Sequence, residues 1–346
     1  MEFIPALKVL YLNDWQGDDS VTFDILFETQ KNVIKLLNNS YKKKRFVHTY
    51  LFEGVKGTAK IEAAFYLASL LLCESEQRPC LKCPECNKIL EGYHPNIMII
   101  KPKGNVIRKE QIDTLAKEYS LKPHDMKSRI FIIEEIDKAT SSAANYLLKF
   151  LEEAGTGNYG VLITENLYGV IPTIRSRSQI VSFGQLQSQI IAEKLIKLGI
   201  AEEPSHILAS ITNSVDECLN MINEGKILDI IDLFKKIGYN LVKKEKSPLL
   251  ILYENGKFLL SETDKRYHNI FLDFLVAFLS NLLYLLIGEK NKIIFKSTIN
   301  KIADDIKISP NRIIGEIETI LKYKQKLKYN VNIELFYTQM LTTVEL

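Results

Sequence analysis

The stretch LFEGVKGTAKIEAA, residues 51–64, decides the fold. Leu51 and Phe52 close a short apolar run, Gly54 and Gly57 supply a turn, and residues 61–72 continue with the apolar density of a buried helix. Strand, glycine turn and helix in that order are the setting of a phosphate-binding loop of the form G-x-x-x-x-G-K-[ST]. In such a loop main-chain N–H groups cradle phosphate, the lysine neutralises it and the hydroxyl ligates magnesium. Lys60 stands at the lysine position, but Ala59 replaces the last glycine and Ile61 replaces the hydroxyl-bearing residue. Ala59 adds a methyl where backbone should approach phosphate, and the Ile61 hydrocarbon cannot hold a cation. The expectation is a retained turn from which metal-dependent hydrolysis has been lost. Binding of nucleotide through Lys60 without cleavage stays open.

Outward from this loop, residues 46–182 alternate short apolar runs with amphipathic ones. Strands are predicted at 49–53, 96–100, 128–133, 159–164 and 180–183, and helices at 61–72, 109–121 and 142–151. That alternation predicts an α/β domain with a parallel sheet. In RIFIIEEIDKAT, residues 129–140, an apolar strand ends in acids, as where magnesium is held and water activated. Glu134 stands where an aspartate is usual and reaches one methylene further, while Glu135 keeps the place of the water-activating acid. A carboxylate without a metal has little to do, so ordinary acids at a strand end are the favoured reading for catalysis.

Beyond Phe183 the strand pattern fades. Residues 187–198, 206–212 and 215–223 read as short helices, with Gly225 as a C-terminal cap. From Lys226 long helices dominate, broken by the lysine-rich turn at 243–248 and by Gly256 and Gly288. The expected organisation is an α/β domain over residues 1–182, a small helical domain over 183–225 and a third, helical domain over 226–346. The run IFLDFLVAFLSNLLYLLI, residues 270–287, tempts a membrane reading, yet Asp273 lies inside it and would cost about 2.5–3.5 kcal/mol at a helix centre in lipid. Wound as a helix, it places Asp273, Ala277, Ser280, Asn281 and Tyr284 on one side, which predicts a buried bundle helix.

Four of the five cysteines, Cys73, Cys80, Cys83 and Cys86, fall within fourteen residues directly after the predicted helix. Thiolates two residues apart can approach one tetrahedral ion from a tight turn, and four close its shell without an open position, so residues 73–86 are read as a structural zinc site. Disulfides, a redox C-x-x-C pair and an iron–sulfur cluster are the competing readings. His94 is a spare beside four sulfurs, and Cys218 reads as helix packing.

Lysine and arginine number 45 against 42 acids in 346 residues, and the formal net charge of +3 gives no general pull toward nucleic acid. The lysine-dense segments 41–45 and 322–328 read as solvated faces. The N-terminus turns acidic after a short apolar run, without the basic lead of an export signal, so a cytoplasmic protein is expected.

Together these segments resemble the clamp-loader branch of the AAA+ proteins. The likeness is carried by HTYLFEG (48–54), the four cysteines, GYHPNIMII (92–100), AANYLLKFLEE (143–153) and IPTIRSRSQ (171–179), and it covers residues 23–182. Ala154 departs from the family's proline and Ser178 from its cysteine. The resemblance implies a RecA-like AAA+ domain with a zinc insertion, then a helical lid and an all-α collar. It implies a subunit of a five-membered ring, with gamma/tau-like and delta-like partners, that opens a sliding clamp and places it on primer–template DNA. ATP would be bound by neighbouring subunits. Arg177 aligns with the family arginine that reaches into a neighbour's nucleotide site. Arg175, on the same side if the segment is extended, would share that role. In the lid, Asp216 stands where nucleotide-binding relatives place a phosphate-sensing arginine. Two alternatives remain, an active motor subunit of the gamma/tau kind and a zinc-stapled interaction protein in which the arginines only pair with nearby acids.

Overall fold

The computed structural model describes residues 21–120, 128–153, 155, 157–303 and 308–344. The N-terminal segment, Leu121 and Ala154 lie outside the described residues. The chain divides into two compact units, Met1–Leu186 and Gln187–Leu346.

The first unit opens with helices α1 (Asp24–Thr29) and α2 (Lys31–Lys42), followed by β1 (Thr49–Glu53), α3 (Lys60–Leu72), α4 (Pro84–Leu90) and β2 (Ile97–Ile100). It continues with α5 (Lys109–Ser120), β3 (Arg129–Ile133), α6 (Ser141–Glu153), β4 (Asn158–Thr164), the short α7 (Pro172–Ser176) and β5 (Gln179–Ser182). The five strands form one parallel sheet in the order β2-β3-β4-β1-β5. Each expected strand is present, shifted by a residue or so at its ends. Interior strand β1 is buried on both faces, which explains the consecutive apolar residues Tyr50, Leu51 and Phe52. One layer of core packs Leu26, Val33, Leu37 and α3 against one face of the sheet. The other packs Leu115, Leu147, Phe150 and Ile174 against the opposite face.

Glycine is forced at one strand position by a close approach. A Cβ on Gly160 of β4 would lie 2.2 Å from the ring of Phe131, its register partner on β3. That ring meets Phe150 and Tyr119 edge-on at 5.3 and 5.7 Å.

The second unit is helical: α8 (Ser188–Lys197), α9 (Glu202–Ala209), α10 (Val215–Asn223), α11 (Lys226–Lys243), α12 (Pro248–Asn255), α13 (Lys257–Leu260), α14 (Lys265–Leu286), α15 (Lys296–Ile302), α16 (Pro310–Lys326) and α17 (Ile333–Thr343). Helix α9 starts earlier than expected from residues 206–212. Pro204 lies in its first turn, where the missing N–H has no intrahelical partner to lose. Gly225 ends α10 in the left-handed conformation at φ +81°, as a C-terminal cap requires.

Among the described residues one helix, α14, is long and apolar enough to cross a membrane. Half of its apolar window is buried within the protein, against α11 and α16. Phe274 and Phe278 meet Phe234 at 5.5 and 6.1 Å. Its polar groups are satisfied internally. Asp273 pairs with Lys324, His268 meets the Tyr337 hydroxyl at 3.0 Å, and Asn281 accepts from the Ile294 and Phe295 N–H groups. Asn281 is buried rather than on an exposed polar side, because it caps the chain that follows the helix.

Candidate nucleotide loop, cysteine cluster and arginine edge

Helix α3 carries the two features that the sequence singles out, one at each end. At its start, β1 runs into Gly54 and the loop wraps to Ala59, which takes the left-handed conformation at φ 61°, ψ 33°. A non-glycine residue there costs about 1–2 kcal/mol. A Cβ on Gly54 would lie 2.9 Å from the carbonyl oxygen of Phe183, so this loop is pressed against the end of β5.

Lys60 is buried, with 7% of its surface exposed. Its Nζ donates to the carbonyl oxygens of Gly54 (2.8 Å) and Val55 (2.6 Å) and to Thr58 Oγ1 (3.3 Å). Its three donor positions are thus met by its own loop. Burial pushes the ammonium below its ordinary pKa, opposed by the charges of Glu165 and Glu62.

The acids after β3 are also engaged. Glu134 faces Lys101 Nζ at 3.4 Å, and burial raises its pKa against the pull of that lysine. Glu135 is left-handed at φ 51° and pairs with Lys138. Two groups that the sequence reading passed over complete this end of the sheet. Thr164, the last residue of β4, donates to Asp137 at 2.5 Å and accepts from the N–H of Asn166 at 3.0 Å. Thr164 and Asp137 are 27 residues apart in the chain, and only the apolar strand before Thr164 hinted that it would stand beside the loop.

At the other end of α3, Cys73 is the C-cap residue. The sulfurs of Cys73, Cys80, Cys83 and Cys86 lie within 4.8 Å of one another. Cys73 Sγ is 3.5 Å from Cys80 Sγ and 3.9 Å from Cys83 Sγ. Four sulfurs at 2.3 Å from a central ion would be about 3.8 Å apart, so the set fits a tetrahedral metal such as zinc. All four are free cysteines and not disulfides. N–H groups of Lys82 and Cys83 hold the Cys80 thiol down at about 6, whereas burial pushes the Cys86 thiol up. Cys83 caps α4, its sulfur accepting from Cys86 N–H at 3.5 Å. His94 is no part of this group. Its Nε2 meets Glu85 at 2.8 Å and its Nδ1 accepts from Asn96 N–H at 3.1 Å, which ties the cysteine segment to the approach of β2. Cys218 is buried on α10, where burial raises its thiol to about 12.

The two arginines part company. Residues 172–176 are helical, not extended, so positions two apart diverge around the axis instead of sharing a side. Arg175 lies over the exposed ring of Tyr168 at 5.7 Å, and its Nε is buried without a hydrogen-bond partner. Arg177, half-exposed, donates to Glu152 at 2.6 Å. An ion pair between two half-exposed side chains is worth at most about 1 kcal/mol, so the guanidinium is easily redirected. Asp216 is exposed in the first turn of α10, where its charge suits the helix N-terminus.

The five-stranded parallel sheet, a loop at the carboxyl end of β1 and a following helix place the first unit among α/β domains built around a phosphate-type loop. The sequence profile of the family described as "DNA polymerase III, delta subunit" matches residues 29–187. The DNA polymerase III subunit delta' of Bacillus subtilis is 31% identical over 317 residues, covering 91% of this chain and 96% of that one. Subunit tau of the same organism is 31% identical over 176 residues, 50% of this chain and 31% of tau. A gamma subunit-related protein of Thermotoga maritima superposes with a TM-score of 0.43 at 18% identity, over 89% of this chain and 97% of that one. The chain belongs to the delta-prime family of DNA polymerase III clamp-loader subunits.

Proposed function

We propose that this chain is the non-hydrolysing member of a clamp-loader ring, which acts on ATP bound by its neighbours and supplies Arg177 as an arginine finger in trans. One observation carries this reading: Lys60 is bound to its own loop carbonyls while Ile61 stands in the magnesium seat. The pairing of Glu134 with Lys101 and of Glu135 with Lys138 supports it, since both acids already have cationic partners. The weak hold of Glu152 on Arg177 suits an arginine that must turn toward another subunit. Arg175, stacked on Tyr168, is the lesser candidate.

The partners in this reading are gamma/tau and delta subunits, the sliding clamp through the assembly and primer–template DNA, in the cytoplasm. The cysteine cluster holds a structural zinc. The chain beyond Ser182 divides near Gly225 into a lid, residues 183–225, and a collar, residues 226–346, which assembles the ring. In a reconstituted loader, Arg177→Ala should lower ATP turnover by about 10²-fold or more while the ring still assembles. Unchanged turnover would remove Arg177 from this role.

The retained Lys60 and the similarity to tau favour one second reading, an ATPase of the gamma/tau kind. It requires the isolated chain to hydrolyse ATP at an ordinary rate and to lose that activity on Lys60→Ala.

A further inference from the structure

A basic hollow lies on helix α2 and the turn after it, with a cavity volume of about 410 Å³. Its walls carry Lys35, Lys43 and Arg45 together with the amides of Asn32 and Asn39 and the hydroxyl of Ser40, and no carboxylate lines it. The spacing explains the wall: 32, 35, 36, 39, 40 and 43 form a single stripe at helical period, opposite the buried Val33 and Leu37. Lys31 and Lys42 border the stripe, and Lys31, Lys35, Lys42, Lys43, Lys44 and Arg45 are all exposed.

Helix electrostatics accounts for only part of this charge. Lys42 and Lys43 complement the negative C-terminal end of α2, but Lys31 opens the helix, where a cation is unfavourable, and the first turn has no acid to offset it. The turn itself is shaped. Arg45 N–H donates to Ser40 O at 2.9 Å and Lys44 N–H to Tyr41 O at 2.9 Å, the paired closure of a Schellman motif. Lys44 takes its left-handed position at φ 52°, where glycine is the unstrained choice. The chain thus keeps Lys31 at a helix start that disfavours a cation, and the turn brings Arg45 beside Lys43 at the hollow. Among the described residues no acid forms an ion pair with any of these six cations.

We infer that this hollow is a binding surface for the sugar–phosphate backbone of nucleic acid. Clustered cations interleaved with amides and a hydroxyl suit phosphate and sugar oxygens and carry no base readout, so binding should be independent of sequence and strongly dependent on salt. The inference rests on the placement of charge. Its readout, oligonucleotide affinity of the isolated chain, is separate from the ATP turnover that tests Arg177, so either can fail alone.

The experiment is a fluorescence-anisotropy titration of the full chain with labelled single-stranded and primer–template oligonucleotides across a salt series. The triple variant Lys35→Gln/Lys43→Gln/Arg45→Gln is compared with Lys322→Gln/Lys326→Gln/Lys328→Gln in the other lysine-dense segment. The α2 variant should lose about tenfold to hundredfold in affinity near 0.1 M salt and flatten the slope of log K against log salt by about 2–3. The 322–328 variant should bind as the parent does. All three α2 side chains are exposed, so circular dichroism should show an intact fold. No binding by the parent chain at low salt, equal loss in both variants, or displacement by polyglutamate as effective as by unlabelled oligonucleotide would each overturn the assignment.

Discussion

Helix α3 sets two sites against each other, the loop at its first turn and the cysteines at its last. At the loop every chemically active group has found a partner inside the protein: Lys60 on its own carbonyls, Glu134 on Lys101, Glu135 on Lys138 and Thr164 on Asp137. At the cysteines four sulfurs converge on one centre, and their contacts are mostly with one another and with nearby N–H groups. Four soft donors around one point are satisfied by an ion, whereas a lysine returned to its own turn is satisfied without one. What sets the two ends of the helix apart is therefore where the donors point as well as which residue types are present.

The largest effect should come from the cysteine end. Removal of the metal with a chelator, or Cys83→Ser, should abolish stoichiometric zinc in elemental analysis and lower the thermal midpoint by about 10 °C, because binding free energy at such a site is folding free energy. A chain that contains no zinc and melts unchanged would erase the contrast.

Next is Lys60→Met, which leaves the Gly54 and Val55 carbonyls without their donor. Destabilisation by about 1–3 kcal/mol in urea unfolding is expected, with no activity of the isolated chain to lose. If the variant keeps full stability, the lysine is no internal staple. Ala59→Gly should have a smaller effect, a gain of up to about 1 kcal/mol, since relief of left-handed strain is partly offset by the greater freedom of glycine when unfolded. The sharpest test expects no change at all. Ile61→Thr combined with Ala59→Gly restores the loop's sequence, yet ATP turnover of the isolated chain should stay at background because Lys60 remains bound to its own loop carbonyls and Glu134 still stands where an aspartate is usual. Appearance of turnover would show that the two substitutions alone silenced the loop.

The parallel sheet, the metal-type cysteine spacing and the two defects of the loop were legible in the sequence because each depends on local periodicity or on the chemistry of a single side chain. The relation between Arg175 and Arg177 is not legible in the sequence: the two share a side only in an extended segment, and the helical turn Pro172–Ser176 separates them. Gly160 gave no sign in its own neighbourhood, since the ring that excludes a side chain there belongs to Phe131 on the next strand.

The amino-acid sequence alone determined what chemistry this protein can and cannot perform at each position: no oxygen at residue 61 for a cation, four thiols for a metal, a guanidinium at 177. Only the tertiary structure decided which partner each group takes. A hydrogen bond or an ion pair depends on distances of a few ångströms between atoms that the chain can hold tens of residues apart. Lys101 meets Glu134, Asp137 meets Thr164 and Glu152 meets Arg177 because the sheet and its helices carry them there.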